Sequence, residues 1–276
     1  MKLLRRALLP FAVLLAAQSL GAPPQLAEDS PRWQWFAEHR DSYDLIFIGS
    51  SRIYHGISPK LFCEVTGRSW RGFNLGVDRM RTPACLEVAQ RVIALHPAKL
   101  KYLFFELQAA GGPATAPNES EVGATVRTAS DLQPVAFGGG RGLGPDGDGF
   151  NPLEKEMKPQ FRATYEQRLE EARARGSKPV DPAMRDELTR FAKEAAGKGI
   201  QVIFVVAPSL RNARGSGVDA PVGSLCFAFD DLRRYAPLYD EVNRPDAEHL
   251  NARGAAIFTR DLAQQFGQAL QSAPAR

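Results

Sequence analysis

Cysteine and histidine are both scarce: the 276-residue chain holds 3 Cys and 4 His. Cys63, Cys85 and Cys226 are too few for a disulfide scaffold and show no metal-ligand spacing. A Cys63–Cys85 bridge in an oxidising compartment and three buried free thiols fit the sequence equally well. No Cys closes the first apolar run, which argues against a lipoprotein, and no repeat period is visible. The tract Asp146-Gly147-Asp148-Gly149 lacks the downstream Glu of a calcium loop, so no metal is expected. Surplus positive charge is also thin. The net charge is +4, but Lys2, Arg5 and Arg6 precede any processing site, leaving about +1 for the rest. Nucleic acid is therefore not an expected partner. No segment advertises an apolar channel for long acyl chains.

What is present begins with a basic MKLLRR, an apolar stretch from Ala7 to Leu20, and small and Pro-rich residues from Gly21 to Pro24. That is the pattern of a secretory signal peptide, with Ser19 and Gly21 satisfying the small-residue rule for cleavage before Ala22. Residues 1–21 are thus expected to be a signal peptide or an uncleaved anchor. The product is exported, periplasmic or extracellular, and meets a membrane only if that segment is retained. A linker and short helix span 22–40, a single domain spans 41–270, and 271–276 form a tail. At 44% apolar residues, this length is enough for one substantial core.

Within the domain, compact apolar runs alternate with helical patterns. Tyr43–Gly49 (YDLIFIG), Gly72–Val77 (GFNLGV), Leu100–Leu107 (LKYLFFEL) and Ile200–Ala207 (IQVIFVVA) read as buried parallel strands, and Leu225–Tyr239 supplies a short fifth. Helices are expected at Trp33–His39, Pro59–Val65, Thr82–Leu95 with Thr82 as cap, Gln160–Arg175, Pro182–Ala196 and Ala252–Leu270. This order predicts an α/β fold, a three-layer α/β/α sandwich around a mainly parallel sheet of about five strands. Gly111–Pro159 breaks the periodicity with GGPATAPN and GGGRGLGPDGDGFNP, and reads as an insertion serving as a lid or binding loop, or as a surface excursion. Ala207–Val222 is a second irregular stretch.

Two distant blocks carry the chemistry. Ser51 follows the first buried strand at a tight IGSS turn, where parallel sheets present ligands. Asp246-Ala-Glu-His249 precedes the last helix. An Asp three residues before a His on one turn can accept its Nδ1–H and leave Nε2 free to take a serine proton. His55, four residues after Ser51, is an alternative base without a carboxylate partner in sequence, whereas His39 and His96 lie in no motif.

A strand-GSS start, a DxxH block before the terminal helix and a βαβαβ frame between them resemble the SGNH/GDSL hydrolase superfamily over almost the whole exported chain. The Gly49-Ser50-Ser51-Arg52 variant is similar to members that O-acetylate alginate and cellulose or D-alanylate teichoic acids. The resemblance implies a serine esterase or O-acyltransferase with Ser51, His249 and Asp246 as its catalytic groups, acetyl as its acyl group and no cofactor. It further implies an acylated cell-envelope or extracellular polysaccharide or an acyl donor as substrate, and an envelope acylation complex as partner. Two family features differ. Arg79 stands where a turn Gly offers its backbone N–H to the oxyanion, and Ala110 stands in place of an Asn. Gln108 is the substitute donor, Asn74 assists the oxyanion or braces the serine loop, and Arg52 binds a substrate carboxylate or pairs with an acid. The alternative is a non-catalytic relative that binds glycan or assembles with an envelope complex.

Overall fold

The computed structural model describes residues 30–108, 143–174, 180–210, 220–221 and 223–272. The expected export segment, Ala110, most of the Gly/Pro-rich insertion, most of the stretch 207–222 and most of the tail lie outside the described residues. No helix among the described residues is long and apolar enough to cross a membrane.

Five parallel strands make one sheet: β1 (Leu45–Ile48), β2 (Gly72–Asn74), β3 (Tyr102–Glu106), β4 (Gln201–Val206) and β5 (Leu225–Ala228), in the order β2-β1-β3-β4-β5. Each apolar run is continuous because both faces of the sheet are covered. Ile46, Ile48, Leu103, Phe105, Val202 and Phe204 face one core, which is closed by α1 (Pro31–His39), α4 (Thr82–Ala94) and α6 (Pro182–Gly197). Leu45, Phe47, Phe104, Ile203 and Val205 face the other. There α2 (Ser51–Tyr54), α3 (Pro59–Thr66), α5 (Pro159–Ala174) and α7 (Ala252–Ser272) form the third layer. The expected sandwich is therefore present, with a sheet that is parallel throughout.

The third layer positions the chemistry. Phe258, Leu262 and Phe266 of α7 are fully buried, and the Phe266 ring sits 5.1 Å from that of Phe104 on β3. Burying a Phe or Leu side chain contributes roughly 1.5–3 kcal/mol, so this face anchors the start of α7 against the sheet. Thr259 adds a polar staple: its hydroxyl donates to the Gly56 carbonyl and accepts the Ser58 N–H, both at 3.2 Å. Helix α7 is thereby tied to the loop that follows α2.

One local expectation changes, and one open alternative is decided. Helix α4 begins at Thr82, after an extended Arg81 that makes no side-chain cap. Thr82 lies inside the helix, and the residue at the cap position, Arg81, has a side chain that only donates and so cannot accept a first-turn N–H. The three cysteines are free. Cys63 belongs to the α3 side of the sheet and Cys85 to the α4 side, so the sheet itself prevents their bridging. Burial pushes the Cys63 thiol up to about 12, as befits an inert packed thiol.

Candidate active site

In a sheet of this order the connections diverge on either side of β1 and β3, opening a crevice at their carboxyl ends. Ser51 and Glu106 stand there. Strand β1 ends at Ile48 and, after Gly49 and Ser50, Ser51 opens α2. Gly49 has no room for a side chain, since a Cβ would lie 2.3 Å from Ile53 Cγ1 and 2.7 Å from Glu106 Cβ. Ser50 caps the turn by accepting the Arg52 N–H at 3.3 Å. As the first helical residue, Ser51 keeps a backbone N–H that no preceding carbonyl of its helix can take.

The DxxH block arrives from the other end of the chain. Asp246 Oδ1 accepts the backbone N–H groups of Glu248 (2.7 Å) and His249 (2.9 Å), folding the block into one turn. Nδ1 of His249 lies 3.0 Å from Oδ1 and 2.9 Å from Oδ2 of Asp246, and Nε2 lies 2.8 Å from Ser51 Oγ. A carboxylate on Nδ1 holds the proton there, so the Ser51 hydroxyl donates to Nε2. Burial opposes ionisation of Asp246, but the His249 hydrogen bond and charge and the two backbone donors outweigh it, holding the carboxyl at about 2. An imidazole held this way can take a hydroxyl proton and return it to a leaving group. The expected chain of Ser51, His249 and Asp246 is thus brought together in one crevice.

Arg244, fully buried, supports that turn from beneath. Its guanidinium donates to the carbonyls of Asp246 (3.2 Å), Leu238 (2.8 Å) and Ala247 (2.9 Å). Behind Ser51 sits Glu106, which sequence reasoning missed. Its Oε2 accepts the Ser50 N–H at 2.6 Å, and its Oε1 lies 2.8 Å from Arg52 Nε. That Nε–H points instead at Ser50 Oγ, 3.3 Å away, so the pairing with Glu106 is electrostatic more than directional. The one signal was an acid ending an otherwise apolar strand in LFFEL.

The remaining expected residues take different parts. Arg52 is held by Glu106 and reaches toward Glu248, with Nη1 to Oε2 at 3.9 Å. It pairs with acids and is not presented to a substrate carboxylate. Gln108 does not serve as an oxyanion donor: its amide donates to the Met80 carbonyl (3.0 Å) and to Glu106 (3.2 Å). Asn74 is likewise a brace and not an oxyanion donor. Fully buried, it donates to the carbonyls of Ile53 and Ile57 and accepts the Gly76 N–H, all at 2.8 Å. Arg79 has φ 63°, the left-handed conformation that a Gly adopts freely, so the turn has the backbone shape expected of a Gly at this position. His55 does have a carboxylate partner, Asp78, 3.0 Å from its Nε2 and 23 positions away in sequence.

A cavity of about 480 Å³, lined by Tyr43, Lys60, Trp70, Arg71 and Asp148, opens where Gly72 begins β2, at the amino end of the sheet and away from Ser51. Its position separates it from the chemistry. No group of metal-ligating side chains occurs among the described residues. Comparisons with protein-family models, curated proteins and solved structures gave no match for this chain.

Proposed function

We propose that this chain is an SGNH/GDSL-type serine esterase or O-acyltransferase, exported to the periplasm or the cell exterior, that moves an acetyl group on a cell-envelope or extracellular polysaccharide. The observation that carries the reading is the 2.8 Å approach of His249 Nε2 to Ser51 Oγ, with Asp246 on the opposite ring nitrogen. Ser51 Oγ attacks an ester or thioester carbonyl while its proton passes to His249 Nε2. The tetrahedral oxyanion is held by the backbone N–H groups of Ser51 and Arg79. Collapse expels an alcohol or thiol, which takes the proton from His249. Water or a sugar hydroxyl then gives up its proton to His249 and attacks the acyl-serine; the acyl–Oγ bond breaks, Ser51 Oγ takes the proton back from His249, and the acid or the new ester leaves. The polysaccharide and the acetyl group rest on the family resemblance, and the exported location on the first 21 residues.

A fluorophosphonate probe tests the chemistry. Labelling at Ser51 that is lost in His249→Ala, with the fold retained by circular dichroism, is the expected result. Folded protein that takes no label overturns catalysis and favours a non-catalytic glycan-binding or complex-assembly relative. Acetyl release from p-nitrophenyl acetate, with and without glycan acceptors, separates hydrolysis from transfer.

A further inference from the structure

We propose that His55 is a positioning residue that, through Asp78, holds the turn carrying Arg79 beside the Ser51 nucleophile, an inference that rests on the function proposed above. His55 closes the first turn of the serine's own helix, its N–H bonded to the Ser51 carbonyl at 2.9 Å. Its ring is buried and spans two further segments. Nδ1 lies 2.6 Å from the Asn151 carbonyl, and Nε2 lies 3.0 Å from Asp78 Oδ1. Each ring nitrogen therefore faces an oxygen acceptor, one on the insertion and one on the turn before Arg79. The Asp78 carboxyl is held below its ordinary range, first by the His55 hydrogen bond.

The turn needs such an anchor. Val77 N–H donates to the Gly49 carbonyl (2.9 Å) and Met80 N–H to that of Val77 (3.2 Å), which brings residues 77–80 alongside the turn that delivers Ser51. A Cβ on Gly76 would lie 2.5 Å from Tyr54 N, so the approach to α2 is close. Arg79 sits left-handed within that turn at φ 63°, a conformation unfavourable for a residue with a Cβ and kept only where the surroundings impose it. Asp78 immediately precedes it and is 59% exposed, so His55 is its fixed point. The other groups around the pair are the His249 ring (centroid 6.1 Å from that of His55), the Tyr54 ring (4.5 Å) and Arg32. The Arg32 guanidinium stacks 4.3 Å from the centre of Tyr54 and donates to the Gly76 carbonyl at 2.5 Å. These flank the site without replacing the bond to Asp78.

The test uses the full chain and two readouts: the rate of fluorophosphonate labelling at Ser51, and kcat and KM for p-nitrophenyl acetate. Asn at position 55 places a donor near the His Nδ1 position and keeps the Asn151 bond, whereas Gln reaches the Nε2 position and keeps the Asp78 bond. His55→Asn and Asp78→Ala are expected to slow labelling and kcat on the order of tenfold to a hundredfold, less than removal of a whole oxyanion donor, with KM little changed. The double variant is expected to be no slower than either single variant. His55→Gln and Asp78→Asn are expected to recover most of the loss. A purely structural role predicts the reverse ranking of the two His55 variants, and that ranking overturns the inference. Should His55→Asn fail to fold, Asp78→Ala against Asp78→Asn decides alone. Labelled wild type with an unaffected Asp78→Ala overturns only this inference, whereas unlabelled wild type overturns the proposed function and this inference together.

Discussion

Glu106 takes the Ser50 N–H at 2.6 Å from the carboxyl end of β3, with its own side chain closed to solvent. One acid therefore fixes the backbone immediately before the serine and faces the guanidinium of Arg52 immediately after it. Removing one partner of a buried charge pair leaves the other uncompensated, which costs about 3–5 kcal/mol. Glu106→Ala is expected to lose stability of that order in urea unfolding. Glu106→Gln leaves Arg52 equally unpaired but still accepts the Ser50 N–H, so it is expected to lose less than Glu106→Ala by about 1–3 kcal/mol, the cost of leaving that buried donor unsatisfied. Equal losses for the two would remove Glu106 as the anchor of the serine turn.

Asp246 bonds its imidazole partner and two backbone N–H groups of the same turn. Asp246→Asn presents an amide donor to Nδ1 and disturbs the tautomer, so esterase turnover is expected to fall on the order of a thousandfold to ten-thousandfold. The same variant has a pH signature in stability. The Asp246 carboxyl is held at about 2 against an ordinary 3.8. Its contribution is present above about pH 4 and is lost as pH falls from there toward 2. The difference in urea midpoint between wild type and variant is expected to narrow over that window, and a constant difference would contradict the assignment.

Much of this was legible in the sequence, for reasons of locality. Buried parallel strands show as unbroken apolar runs, so LIFI, YLFFE and QVIFVV stood out. An Asp and a His three residues apart meet on one turn whatever surrounds them. Roles set by packing were not legible. Asp78 reaches His55 only because residues 75–80 fold back over α2. Gln108 read as a spare donor until the Met80 carbonyl and Glu106 were seen to occupy it. Asn74 read as either an oxyanion donor or a brace of the serine loop, and its amide bonds to the Ile53 and Ile57 carbonyls decide for the brace.

Asp148 carries a shift of the opposite sense. Burial raises its carboxyl from 3.8 to about 6, more than the backbone donors of Phe150 and Lys60 lower it. Its folded form therefore holds a proton that the unfolded chain has released between about pH 4 and 6, and stability falls as pH rises through that window. The gap in unfolding free energy between wild type and Asp148→Asn is expected to change on the order of 2 kcal/mol from pH 4 to 7, moving against wild type. Urea midpoints at pH 4, 5, 6 and 7 measure it, and a flat gap would show that Asp148 is ionised throughout.

Arg79 separates backbone from side chain as the source of an oxyanion contact. Its left-handed φ of 63° costs a residue with a Cβ about 1–2 kcal/mol, whereas Gly adopts it without strain. Arg79→Gly keeps the N–H and relieves that strain, at the expense of greater freedom in the unfolded chain, so stability is expected to stay within about 1 kcal/mol of wild type. Labelling of Ser51 is expected to persist in this variant. Arg79→Pro removes the N–H and forces φ to about −65°, destroying both donor and turn. Its labelling is expected to fall on the order of a hundredfold to a thousandfold, the effect of losing one oxyanion donor. Arg79→Ala retains the N–H without the guanidinium, and is expected to follow Arg79→Gly. If Ala and Gly both fell as far as Pro, the guanidinium would be the group that touches the substrate, and the oxyanion would need its second donor from elsewhere in the crevice.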